Sequence, residues 1–234
     1  EAIAPIIALV VLLVFRALES VEKRLTSLAE SNATDSVISG GVTRVYQVIT
    51  EVVKNINEAA VKRGERRIDV IGLTLFSAWP DLEGRIRNQQ SSGWRIRMLC
   101  LEPEYITSQT TLLDPSWALE ATKNIDQIRS YLSDERETLR KRRITVELYT
   151  YQRIPAIHGF AIGDSDVVIS FCHWDKNGRI DRPYQFYEHF PTADASERAE
   201  FYRGLFRNSR DELLRSARRV VRSNKGRLTL DSEN

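Results

Sequence analysis

The sequence predicts an α/β sandwich behind an N-terminal apolar helix. Three observations point there. Strand-like apolar runs alternate with helical stretches through the middle of the chain, two of those runs are apolar enough to be covered on both faces, and an uncharged run, Ala2 to Phe15, stands at its head. With 234 residues, 42% of them hydrophobic, the chain can bury a sizeable core, which excludes a disordered protein. Lysine plus arginine number 34 against 32 acidic residues, so a net charge of +2 announces neither a nucleic acid nor an acidic surface.

The first element is "EAIAPIIALVVLLVFRALES". Its apolar run covers about 21 Å of helix, against a hydrocarbon core of roughly 30 Å. No basic segment precedes it and no small-residue cleavage pattern follows, which disfavours a signal peptide. The expectation is a transmembrane helix seen from partway in, with residues upstream of Glu1 missing. Arg16, Lys23 and Arg24 follow the run, so the positive-inside rule places the C-terminal domain in the cytoplasm, beneath a bacterial inner membrane. Val11, Val14, Leu18, Val21, Leu25 and Leu28 then recur at alternating spacings of three and four, the seam of a coiled coil that needs a partner helix. A homo-oligomer, a dimer or higher, is therefore expected over residues 1–30, the alternative being one amphipathic helix that packs on its own domain. In a parallel assembly Ala4, Ile7, Val11 and Val14 would line a narrow axis with Glu1 at its mouth, a candidate pore.

"SNATDSVISGG", Ser31 to Gly41, is small, polar and ends in a glycine pair, which predicts a hinge at 31–41. The domain is placed at 42–223 and a tail at 224–234. Val42 to Lys62 shows helical periodicity. "IDVIGLTLFSAW" predicts a buried strand and a turn, "PDLEGRIRNQQ" a helix with Pro80 at its start, and "WRIRMLCLEPE" a central strand parallel to the first. Pro115 to Arg142 predicts one long helix with Leu119, Ile125, Ile128, Leu132 and Leu139 inward. "ITVELYTY" predicts a third strand, and "IHGFAIGDSDVVISFCHW" a hairpin divided near Gly163 to Ser165. After a polar loop "YQFYEHF" predicts a short strand, and a last helix is expected from Ser196 to about Ser223. That helix and its continuation carry nine basic and two acidic residues between Phe201 and Arg227, which reads first as a solvated face and second as a surface for a polyanion or lipid headgroups.

Cys100 and Cys172 sit in apolar runs without metal-ligand spacing and are expected to pack in the core, so no metal and no cofactor is implied. Trp79, Trp94 and Trp117 are expected as core or edge aromatics.

Three segments, "IDVIGLTLFSAWPDLEGRI", "SSGWRIRMLCLEP" and "HGFAIGDSDVVISFCHW", with the closing "FYRGLFRNSRDELLRSAR", resemble in order and spacing the small single-copy, nuclease-like or sensor-like bacterial domains of the phospholipase D superfamily. The resemblance covers about Val42 to Arg222 and implies a phospholipase-D-like α/β sandwich. It also implies a histidine nucleophile, a lysine two residues on that neutralises phosphate oxygens, an aspartate five residues beyond the lysine, and a Gly-Ser-x-Asn segment on the next strand.

His158 matches the nucleophile. The lysine position is filled by Phe160 or deleted, according to where the gap is placed, Asp164 comes one residue early, His173 takes the asparagine position and Ser170 alone remains before Phe171. Losing the cation argues against turnover on a phosphodiester. The expected site is then a retained pocket of Thr74, Ser77, His158, His173 and Trp174, with Arg153, Lys176, Arg179 and Arg182 close by in sequence. His158 could equally be a hydrogen-bonded core histidine. An aromatic beside basic groups suits a nucleotide or a single-stranded nucleic acid. By analogy with bacterial antiphage effectors that couple nucleotide binding to membrane helices, ligand binding would gate the pore. The alternative is a membrane-anchored phosphodiesterase or nuclease that acts as a dimer through His158.

Overall fold

The computed structural model describes residues 64–88, 92–163, 166–181 and 187–223, and the backbone of short strands at 37–38, 41–42, 44–46 and 228–230. The apolar run, the coiled-coil seam and the pore positions Glu1, Ala4, Ile7, Val11 and Val14 lie outside the described residues. Among the described residues no helix is long and apolar enough to cross a membrane.

Strands β1 (Val37–Ile38) and β2 (Gly41–Val42) pair as a small hairpin within the segment read as a hinge. The principal sheet has nine strands: β3 (Arg44–Tyr46), β4 (Arg67–Ile71), β5 (Arg95–Leu101), β6 (Thr145–Tyr151), β7 (Ile157–Ile162), β8 (Asp166–Phe171), β11 (Tyr187–Phe190), β12 (Arg218–Ser223) and β13 (Leu228–Leu230). Their order is β13-β12-β6-β5-β4-β7-β8-β11-β3. Strands β9 (His173–Trp174) and β10 (Ile180–Asp181) form a separate hairpin. The helices are α1 (Ala78–Asn88), α2 (Pro103–Ser108), α3 (Ser116–Asp134), α4 (Arg136–Lys141) and α5 (Glu197–Ser216). The fold is mixed α/β.

β4, β5 and β6 are parallel, as their helical connections require, and every other pairing in the sheet is antiparallel. Strand alternation splits the core in two. One face carries Ile68, Val70, Met98, Val146, Phe160 and Val168 against Trp79, Leu82 and Ile86 of α1 and Ile128 and Leu132 of α3. The other carries Ile71, Leu99, Tyr151, Ala161 and Ile169 against Phe206 and Leu213 of α5 and Trp117 of α3. Helices thus cover both faces, and the three tryptophans expected in the core are buried there.

Four readings are corrected. Val42 ends β2 and Arg44–Tyr46 is an edge strand paired to β11, so neither starts a helix; the rest of Val42 to Lys62 lies outside the described residues. The long helix breaks at Glu135, whose backbone (φ −95°, ψ 13°) leaves the helical basin, giving α3 and α4. Leu119 points to solvent at 76% exposure: two residues from the buried Trp117 means about 200° around a helix. The last helix stops at Ser216, because Ala217 is extended and the β-branched pair Val220–Val221 enters the sheet beside β6.

The basic terminal helix is not simply a solvated face either. Arg203 and Arg210 are both 8% exposed. Arg203 donates to the carbonyls of Pro191 and Asp194 at 2.8 Å each, and Arg210 crosses to the sheet. There the register aligns Asp69, Arg97, Glu147 and Arg222 in one row across four strands, on the face that α5 covers. Fully buried Asp69 accepts from Arg97 Nε at 2.8 Å and from Arg210 Nη1 at 2.7 Å, and Glu147 from Arg95 Nη2 at 2.9 Å, with Arg222 Nε at 3.2 Å. A buried carboxylate is tolerated only when paired in this way.

Candidate binding site

The strands β4, β5 and β6 end, and β7 begins, at one end of the sheet. His158, the second residue of β7, lies opposite Ser170 of β8, and Gly159 opposite Ile71 of β4. Here the chain between β4 and α1 folds back tightly. Leu75 adopts a left-handed backbone (φ 61°), and its side chain lies where a Cβ on Gly72 would be 2.8 Å from it. Asn124 of α3 secures the loop by donating to the Thr74 carbonyl at 2.9 Å, and Tyr151 does so by donating to that of Gly72 at 2.7 Å. Gly159 is required on the other wall, since at φ 149° a Cβ would stand 2.0 Å from the Val168 carbonyl oxygen.

Between these walls is a cavity of about 90 Å³, lined by the β4–α1 loop and by His158, Gly159, Phe160 and Tyr187. Three of the expected site residues meet there: Thr74, Ser77 and His158. Among the described residues no lysine or arginine lines it. Phe160, which fills the lysine position of the resemblance on one placement of the gap, is a buried core residue in the Ile68–Val70–Val168 face.

His158 is 8% exposed. Its Nδ1 is 3.5 Å from the Tyr187 hydroxyl, at the outer limit of a hydrogen bond, and the two rings meet edge to face at 5.6 Å. Burial first, and His173 second, pull the imidazole pKa down to about 4, so the ring is neutral at physiological pH. The Tyr187 phenol is raised by burial. Both are therefore uncharged hydrogen-bonding groups at neutral pH.

The other expected residues stand around this end, not in the cavity. His173 and Trp174 are exposed on β9, Trp174 by 56%, and Phe76 on the cavity loop by 58%. Lys176 and Arg179 are exposed on the β9–β10 turn, which Asp175 organises by accepting from the Asn177 and Arg179 amides at 2.8 Å each. Arg153 is turned away to Glu212 of α5, at 3.3 Å. Arg182 and Asp164 lie outside the described residues. Cys100 is buried and Cys172 partly so, both free, with burial holding the Cys172 thiol at about 11 and hence protonated. Among the described residues no cluster of three His, Cys, Asp or Glu side chains could hold a metal ion.

The sequence reading missed Tyr187, because "YQFYEHF" carries no clean alternation and only the pairing of β11 with β8 sets its side chain on the face of His158. It also missed a second polar pair: Asp166, 3% exposed, accepts from the Thr192 amide at 3.1 Å and meets His189 Nε2 at 3.2 Å.

No family model matches the chain, and no curated protein matches it. Among solved structures it is similar to TrmBL2, an archaeal chromatin protein with a novel mode of DNA binding, at 13% identity and a TM-score of 0.41 over 88% of this chain and 65% of that one. It is also similar to the phosphatidylserine synthase of Haemophilus influenzae Rd KW20, at 7% identity and a TM-score of 0.42 over 78% of this chain and 41% of that one. The chain thus spans less than two thirds of either structure, and at these scores neither likeness bears on family or activity.

Proposed function

We propose that this domain is a non-catalytic binding module for a nucleotide or a short single-stranded nucleic acid, joined to a membrane through residues 1–30 and coupling ligand binding to an oligomeric transmembrane assembly. The observation that carries the reading is the state of His158: buried, neutral and beside a cavity that no lysine or arginine lines among the described residues. A phosphoenzyme route needs an accessible nucleophile and cations for the developing charge, and this arrangement supports neither. A cavity of about 90 Å³ is below the size of small-molecule pockets generally, so only part of a ligand would enter it. The rest would lie on the exposed Phe76 and Trp174, on which bases stack, beside Lys176 and Arg179, which attract phosphates. The coupling to membrane helices rests on the sequence of the N-terminal run, and binding can shift such an assembly only by its difference in affinity between states.

The test is fluorescence anisotropy of a labelled twelve-residue oligothymidylate with the full chain in detergent. Phe76→Ala with Trp174→Ala is expected to weaken binding about tenfold or more, since each base–aromatic stack contributes about 1–3 kcal/mol. Unchanged binding would overturn the assignment. Hydrolysis of bis(p-nitrophenyl) phosphate by the wild type, abolished in His158→Ala, would establish the enzyme instead.

A further inference from the structure

The opposite end of the sheet has a different character, and strand direction ties it to the N-terminal segment. β7 is antiparallel to β4, β8 to β7, β11 to β8 and β3 to β11, so β3 runs in the same direction as β4. The chain therefore enters β3 from the end at which β4, β5 and β6 begin. The cavity is at the other end.

At this entry end the connections interlock. Arg66 Nη1 donates to the Ser92 carbonyl at 2.6 Å, the Arg95 amide to the Arg66 carbonyl at 2.8 Å, and the Gly93 amide to the Arg142 carbonyl at 2.8 Å. From Arg136 to Arg143 the sequence holds five cations and one acid. Acids at this end are engaged, Glu137 with Arg140, Glu147 with Arg95 and Arg222, Asp69 with Arg67, Arg97 and Arg210, and Asp166 with His189, while Glu65 stands against Gly163 of the β7–β8 turn. Arg66, Lys141 and Arg143 are exposed, and among the described residues none of them has a carboxylate within ion-pair reach. The result is a cationic end of three interlocked connections, on the side from which the chain arrives.

We propose that this end docks on an anionic lipid surface, with the cavity end facing away from the bilayer. The inference rests on the reading of residues 1–30 as a membrane anchor, which would hold the entry end near the headgroups. Each lysine or arginine near an anionic leaflet strengthens attachment about fivefold, so Arg66, Lys141 and Arg143 together give about a hundredfold. The attraction falls off within a Debye length, about 8 Å at physiological salt, which suits a docked face and not a distant one.

The test uses the full chain reconstituted in vesicles of phosphatidylcholine, with or without 30% phosphatidylserine, followed by hydrogen–deuterium exchange. Slower exchange over 64–67 and 136–143 is expected only in the phosphatidylserine vesicles, with 171–180 unaffected. The protection should vanish in 0.5 M salt and in the double variant Lys141→Glu, Arg143→Glu, whose melting temperature checks its fold; Lys141→Gln with Arg143→Gln serves if the charge reversal misfolds. Equal exchange in both vesicles, with the protein still resistant to carbonate extraction, would overturn the docking and leave the anchor intact. Carbonate extraction of the protein would overturn the anchor, while salt-sensitive protection persisting on phosphatidylserine would still support the docking. Protection of the same segments by an oligonucleotide on neutral vesicles, without any by phosphatidylserine, would assign this end to nucleic acid and overturn the proposal.

Discussion

The two ends of the sheet bury polar groups by opposite means. At the entry end Asp69 and Glu147 are buried with their arginines, and the row Asp69, Arg97, Glu147, Arg222 alternates in charge across four strands. At the cavity end His158 is buried without a charged partner among the described residues, meets the Tyr187 hydroxyl at 3.5 Å and is held neutral. Pairing makes a region rigid, because removing one member strands the others. Neutralisation leaves a group that tolerates a change of neighbour, as a binding cavity requires. The contrast separates an end held by paired charges from one that, on the proposed reading, is built for occupancy.

The largest expected effect breaks the paired end. Asp69→Ala leaves Arg97 and Arg210 buried beside an apolar gap, and loss of one member of a buried ionic group typically costs about 3–5 kcal/mol. Urea denaturation of the full chain should show that loss as a lower midpoint. Replacing the group together with Arg67, as Asp69→Leu, Arg67→Met, Arg97→Met and Arg210→Met, should recover most of it, because no buried charge is then stranded and the remaining partner, Asp211, is 53% exposed. A loss under about 1 kcal/mol in the single variant would show that the network is solvated and that the two ends do not differ in this way.

A pH titration sharpens the other half. His158 has a folded pKa of about 4 against an ordinary value of 6.5, so between those values the unfolded chain binds the proton and the folded one does not. Stability from this group is fully present above pH 6.5 and is lost as pH falls towards 4. The difference amounts to about 3 kcal/mol at 1.36 kcal/mol per unit. The wild type should lose that much more stability than His158→Gln across the window, which subtracts the carboxylates common to both. Parallel pH curves would mean that the ring is solvated or charged in the fold.

Much of this architecture was legible in the sequence, and its physical basis explains which parts. The apolar cores "VIGL" and "RMLCL" read as covered central strands, and a helix between them required parallel pairing, as found for β4 and β5. His158 could be singled out from a resemblance in spacing, and the structure brings it to one cavity with Thr74 and Ser77. The partners of Asp69 were not legible: a charge inside "RIDVI" signals that some cation must meet it, but Arg210 lies 141 residues away and only the docking of α5 brings it there. The end of α5 was misread for a related reason. Arginine is a good helix former, and the run after Ser216 keeps helical composition, so the valine pair and the open edge of β6 decided the outcome through tertiary pairing. Arg153 does not line the cavity, because nearness in sequence to His158 does not fix direction, and its guanidinium pairs with Glu212.

The smallest effect tests the finest point of the comparison. If the cavity end is held by packing and not by a polar network, the 3.5 Å contact between Tyr187 and His158 should contribute little, since it lies at the limit of hydrogen-bond geometry. Tyr187→Phe keeps the edge-to-face ring contact and removes only the hydroxyl. Its expected cost is below about 1 kcal/mol, in the lower part of the usual range for a neutral hydrogen bond. The same variant opens the cavity wall by one polar atom, so oligothymidylate affinity should change more than stability does. A stability loss of about 2 kcal/mol or more with unchanged affinity would reverse the assignment, making the histidine and tyrosine a structural pair like those at the other end and leaving Phe76 and Trp174 to hold the ligand alone.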